Sequence, residues 1–245
     1  MSMLPDKVAR DLVFYKVGTR DLNRRSANIL KKFTSKYDLG DDFKNTAVFR
    51  GVDHALSDSV MLDDLVNDEP VLLRRSPQES WSVDYKVAHE FSISGGSPFS
   101  IVLFERKPKP NSMIANMASP NWWDLYFDVD NVLGDDYSSW MEVLEGYSSR
   151  EFELLLEPQC DKCIFKENVA WIHATLDFWL EYKALSDVPV YFSEYNSSWA
   201  PEKYYYGTYF PKDDAVELLG GSVDLPKELF KHIKRRVGRT MVRVK

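Results

Sequence analysis

The chain has 245 residues, of which 44% are hydrophobic and 14% aromatic, with a net charge of −7. That composition supports a buried core and excludes a disordered or low-complexity protein. No run reaches the ~18 uncharged apolar residues of a membrane helix, and Asp6, Lys7, Arg10 and Asp11 interrupt any apolar leader, so a cytoplasmic location is expected, the host cytoplasm if the protein is injected.

Val8, Leu12 and Tyr15 follow a helical spacing, and Ile29, Leu30, Phe33 and Tyr37 repeat it, with Gly18 and Gly40 as stops. Thr46–Gly51 reads as a short buried strand ending at a glycine turn. Residues 53–69 are acidic and read as loop. Val71–Leu73 is a second short strand. Asp84–Phe91 fits a brief helix with Val87, Ala88 and Phe91 inward. Phe99–Phe104 is a strand ended by Pro108 and Pro110, and residues 111–150 read as irregular. Glu151–Leu156 reads as a strand entering the core, with Lys162–Phe165 as its hairpin partner. Val169, Ile172, Leu176 and Trp179 have helical spacing. The aromatic run Tyr204–Tyr206 with Tyr209 and Phe210 reads as core and edge-strand packing, or as a stacking surface. Leu225–Arg236 fits a last helix, with Pro226 in its first turn. Helices followed by many short strands give an α+β fold.

The charge is uneven. Residues 231–245 hold seven Lys or Arg and no acid, leaving 24 basic against 38 acidic residues, net −14, in the rest. Such a tail suits docking to an acidic surface, a nucleic acid or a nucleic-acid-bound machine such as RNA polymerase, or is simply a solvated end. Cys160 and Cys163 form a CxxC without a nearby His. Two thiolates do not complete a tetrahedral zinc site, and no metal is expected. His54, His89, His173 and His232 are scattered and read as surface or half-buried side chains. The sequence lacks GxGxxG, GxxxxGK[ST], HExxH and GxSxG, which removes the main support for Rossmann, P-loop, zincin and α/β-hydrolase readings.

Three separated elements carry chemistry-bearing residues: Val48-Phe49-Arg50-Gly51, Ser80-Trp81-Ser82, and Glu151-Phe152-Glu153 before Leu154–Leu156 and Pro158. Each has a plain structural explanation. A strand-end Arg pairs with a carboxylate, Ser80 caps the following helix, and Glu151 and Glu153 form a wet strand face. Jointly they suit the cleavage of a glycosidic bond in a phosphorylated substrate. Carboxylates at i and i+2 of a strand stand about 7 Å apart at the backbone. Such a pair can stabilise an oxocarbenium-like transition state and handle a proton. A guanidinium fork matches phosphate oxygens.

The order Arg, then Ser-x-Ser with Ala88 and Phe91 downstream, then Glu-x-Glu before an apolar run and Pro158, resembles the mono-ADP-ribosyltransferases of the Arg-Ser-Glu class over residues 45–165. Ser80–Phe91 is similar to that family's second motif and following helix, and Arg150–Pro158 to its third. Size and the long helical lead further resemble tailed-phage transferases of the Alt, ModA and ModB type, with bacterial effector toxins as an alternative. The resemblance implies a split mixed α/β core of two packed β-sheets with flanking helices. The catalytic core and its N-terminal helices would occupy residues 1–165, and a C-terminal extension 166–245 would carry the basic tail 231–245. It implies NAD as co-substrate. Arg50 and Gly51 would hold the phosphates and ribose, Ser80 and Ser82 would position nicotinamide and the glutamate, Glu153 would stabilise the sugar cation, and Glu151 would assist the acceptor. The acceptor implied is protein arginine, with Trp140 and Tyr147 on the target-contacting loop. Two other functions fit the residues less completely. A glycoside hydrolase would use Glu151 and Glu153 but leave Arg50 and Ser80 without a task. A non-enzymatic host-binding protein would use the basic tail and aromatic surface.

Overall fold

Helix α1 (Asp6–Lys16) and helix α2 (Arg24–Lys36) form where the apolar spacing predicts them. Asn23 caps α2 by accepting the Ser26 N–H at 3.0 Å. Gly18, at φ +71°, lets the chain turn out of α1 with a left-handed residue that a side chain would strain. The computed structural model describes residues 3–18, 20–52, 64–65, 67–72, 78–93, 99–134, 140–141, 144, 152–159, 163–175, 193–195, 204–207 and 213–214. The remaining elements are β1 (Val48–Val52), β2 (Val71–Leu72), β3 (Glu79–Ser82), α3 (Tyr85–Ile93), β4 (Phe99–Glu105), β5 (Met113–Met117), α4 (Val129–Leu133), β6 (Glu153–Leu156), β7 (Cys163–Ile164), β8 (Val169–Thr175), β9 (Ser193–Tyr195) and β10 (Tyr204–Gly207). The fold is α+β, and the ladders β3–β6, β5–β6, β4–β8, β8–β10, β9–β10 and β2–β7 are antiparallel. No helix among the described residues is long and apolar enough to cross a membrane.

The chain folds into two compact units, each assembled from separated segments. The first comprises Met1–Val48, Arg74–Val87 and Glu105–Asp161. Here β6 is hydrogen-bonded on both sides, by β5 and by β3. Leu12 of α1, Leu30 of α2 and Leu155 of β6 close a core with Trp122, Tyr126 and Phe127. Burying an apolar side chain of this size contributes about 1.5–3 kcal/mol. Polar ties fix the helices over the ladder: the Thr34 hydroxyl donates to the Ile114 carbonyl at 2.8 Å, and the Asn116 N–H donates to the Tyr126 hydroxyl at 2.6 Å. Strand β5 lies inside the stretch expected to be irregular. Asn116, the fourth of its five residues, conceals it in sequence; that side chain is buried and donates to the Leu39 carbonyl at 2.7 Å.

The second unit comprises Phe49–Leu73, Ala88–Phe104 and Lys162–Lys245. Its ladder runs β1-β4-β8-β10-β9. The helix expected from Val169 is instead strand β8. Six of its seven residues are buried, so both faces are enclosed and no alternation marks the strand. The expected hairpin partner of Glu151–Leu156 also differs. β7 pairs with β2, Val71 opposite Ile164, whereas β6 pairs with β3 and β5. β10 is hydrogen-bonded on both sides, by β8 and β9, which places the Tyr204–Tyr206 backbone in the sheet.

Candidate active site

The antiparallel register of β3 and β6 sets Ser82 opposite Glu153 and Ser80 opposite Leu155. Alternation puts Ser80, Ser82, Glu153 and Leu155 on one face of this ladder. Leu155 lies in the core under α1 and α2, so this is the face that the N-terminal helices cover. On the opposite face Trp81 and Glu79 are buried, the indole N–H donating to Glu79 Oε2 at 3.2 Å. On its other side Glu153 is paired with Met117 of β5.

Two consecutive residues at the end of α1 reach this face. The Tyr15 and Ser80 hydroxyls are 3.1 Å apart, and Lys16 Nζ forms an ion pair with Glu153 Oε2. That pair is enclosed, with side-chain exposures of 5% for Lys16 and 9% for Glu153. Sequence reasoning missed Tyr15 and Lys16, because nothing local links them to Ser80 or Glu153.

Ser80 is not a helix cap. Asp84 has that role, its Oδ1 accepting the Lys86 N–H at 2.8 Å, while Ser82 Oγ accepts the Asp84 N–H at 3.0 Å and shapes the turn. Strand β6 spans Glu153–Leu156, and Phe152 before it adopts φ +46°. A left-handed, 39% exposed phenylalanine is strained, and such strain concentrates at functional sites. Glu151 and Tyr147 lie outside the described residues, as do Cys160 and the tail 231–245. Trp140 is half-buried, its ring edge-on to Phe14 at 5.8 Å. Cys163 is half-buried on β7. Among the described residues no group of three or more His, Cys, Asp or Glu could hold a metal ion.

Arg50 and Gly51 belong to the second unit, on β1. Arg50 is half-buried. Gly51 has a packing duty: a Cβ there would stand 2.1 Å from the Ala88 carbonyl oxygen and 2.6 Å from the Ser92 nitrogen, both backbone atoms of α3. This close approach also corrects the expected inward face of α3. Ala88, His89 and Ser92 are buried, whereas Phe91 is 51% exposed, since only small groups fit against β1. Gly51→Ala is expected to destabilise the protein by about 3 kcal/mol, the upper end for overpacking, because backbone must shift. Urea unfolding checks this; an unchanged midpoint would show that α3 gives way freely.

His89 and His173, which the sequence suggests are surface or half-buried groups, are both buried with ring centroids 3.7 Å apart. Ser92 Oγ donates to the His89 carbonyl at 2.7 Å and lies 2.7 Å from His173 Nδ1. Since the hydroxyl has one proton, His173 Nδ1–H must be the donor of that second bond. Burial lowers His89 to about 3, and burial together with the neighbouring His89 holds His173 well below the usual histidine range. The unfolded chain, with histidines near 6.5, binds these protons more readily, so protonation favours unfolding. Stability is full above about pH 7 and falls as pH drops through 6.5 toward 3, by about 2 kcal/mol for His89 at pH 5. Urea midpoints at pH 7.5 and 5 should differ, and His89→Gln should reduce the difference. Equal midpoints would mean that the rings take up protons in place.

No family model, curated protein or solved structure matches the chain.

Proposed function

We propose that the chain is an NAD-dependent mono-ADP-ribosyltransferase that releases nicotinamide and transfers ADP-ribose to a macromolecular acceptor, a protein arginine. The observation that supports this best is the β3–β6 register. It sets the serine of one motif directly across from the glutamate of the other, with Ser80 two residues away on the same face. A glutamate and two hydroxyls on one face are the parts needed to hold a nicotinamide ribose while its glycosidic bond breaks.

In this reading the bond from ribose C1′ to the nicotinamide nitrogen breaks, and its electron pair leaves with nicotinamide. The cation left on the ribose is stabilised by Glu153. Lys16 engages Oε2, so Oε1 is the oxygen assigned to the ribose hydroxyl. Ser80, steadied by the Tyr15 hydroxyl, orients the nicotinamide amide. The acceptor guanidine attacks C1′ and loses a proton, which Glu151 takes. The roles of Arg50 on the phosphates and of Glu151 rest on their places in the sequence. The same reading carries the expectation of a core of two packed sheets and places the reaction in the cytoplasm of a host or producing cell.

Incubation with NAD labelled in its adenylate part, in the presence of a cell lysate, tests the proposal. Nicotinamide should be released, and label should appear on protein in a linkage cleaved by neutral hydroxylamine. An intact NAD pool after prolonged incubation would refute the activity.

A further inference from the structure

We propose that the cleft between α2 and the β4–β5 turn binds single-stranded nucleic acid through its phosphates. The cleft lies wholly in the first unit and has a volume of about 970 Å³, at the upper edge of what one small ligand fills. Five lysines line it, Lys31, Lys32, Lys36, Lys44 and Lys109, against two acids, Asp38 and Asp41. On a chain of net charge −7 this is a local reversal of sign. Helix α2 itself carries five Lys or Arg and no acid. Internal pairing accounts for only part of the charge: Lys31 meets Glu157 at 2.6 Å, and Lys44 Nζ pairs with Asp41. Lys32 and Lys36 are exposed, and no carboxylate among the described residues pairs with either.

The walls are fixed before any ligand arrives. Thr34 ties α2 to β5 through the Ile114 carbonyl at 2.8 Å. The opposite wall is the Pro108–Asn111 turn. Buried Gln159 accepts the Lys109 N–H at 2.7 Å, and the Ser112 N–H returns to the Lys109 carbonyl at 3.1 Å. A rigid groove avoids the ordering cost of a flexible basic arm.

The chemistry of the lining selects the partner. Its cations are all lysines, compact charges on flexible stems that meet phosphate oxygens one at a time along a strand. Half-buried Phe43 lies among them as a face for a base to stack on. A positive track with an aromatic platform is the pattern of sequence-neutral binding to single strands.

The test uses the full chain, a fluorescent 12-nucleotide oligouridine and anisotropy at 50 and 200 mM salt, without NAD. It therefore stands or falls independently of the transferase reading. Wild-type protein should bind, and more weakly at the higher salt. The triple variant Lys32→Glu, Lys36→Glu, Lys109→Glu should lose about 10²-fold in affinity at 50 mM, and its salt slope should fall by about 2. Phe43→Ala should weaken binding while leaving the slope unchanged. Circular dichroism confirms the fold of each variant. If charge reversal unfolds the chain, the corresponding Lys→Gln triple is read by the same criteria. Absence of wild-type binding at 50 mM salt, or wild-type affinity in the triple variant, overturns the proposal. Displacement of the oligonucleotide by polyglutamate at equal charge concentration also overturns it, in favour of an acidic polypeptide.

Discussion

Glu153→Gln is expected to lower nicotinamide release from NAD by about 10²–10³-fold, the usual cost of removing one preorganised electrostatic group at a reacting centre. Gln keeps the size of the side chain but not the charge that faces the sugar cation. The enclosure of Glu153 by Lys16 makes this substitution more than a catalytic one. It leaves a buried ammonium without its carboxylate, so the variant is expected to lose stability as well. Activity alone therefore does not separate a catalytic loss from a folding loss. The double variant Lys16→Met, Glu153→Gln does, because it removes the stranded charge. Its urea midpoint should return toward wild type while nicotinamide release remains low. Recovery of release together with stability would remove Glu153 from the chemistry and leave it as half of a structural ion pair.

The legible parts of this fold are those whose signal is local. α1 and α2 appear as apolar positions three and four residues apart, with Gly18 and Gly40 as stops. β4 appears as an apolar run before two prolines. Elements that depend on distant partners do not appear. β8 resembles a helix because both of its faces are buried and no alternation marks it, and β5 is disguised by Asn116, whose amide is satisfied 77 residues away at Leu39. The candidate site divides in the same way. Ser80, Ser82 and Glu153 stand out as motif residues, but nothing local marks Glu79–Ser82 as a strand, and the register that brings Ser82 to Glu153 is set by the pairing of β3 with β6. The covering pair, Tyr15 and Lys16, meets its partners across 65 and 137 residues. No periodicity records a contact of that span. Gly51 illustrates the opposite case: a residue conspicuous in sequence whose evident duty is to let α3 approach β1.

The second large effect is expected at Lys16 itself. Its ammonium sits on Glu153 in a site where both side chains are more than nine-tenths enclosed. Removing one member of such a pair typically costs 3–5 kcal/mol, because the remaining charge has lost both water and partner. Replacing both members with uncharged groups of similar size is often neutral. Lys16→Met should accordingly destabilise the protein by about 3–5 kcal/mol at neutral pH. Adding Glu153→Gln to Lys16→Met should recover most of the loss, so the two changes are strongly non-additive. Urea unfolding of the wild type, the two single variants and the double variant at pH 7.5 measures this. Additive losses would mean that the two side chains do not depend on one another. Tyr15 and Lys16 would then be ordinary residues at the end of α1, and the cover over Ser80 and Glu153 would have no energetic part in holding them.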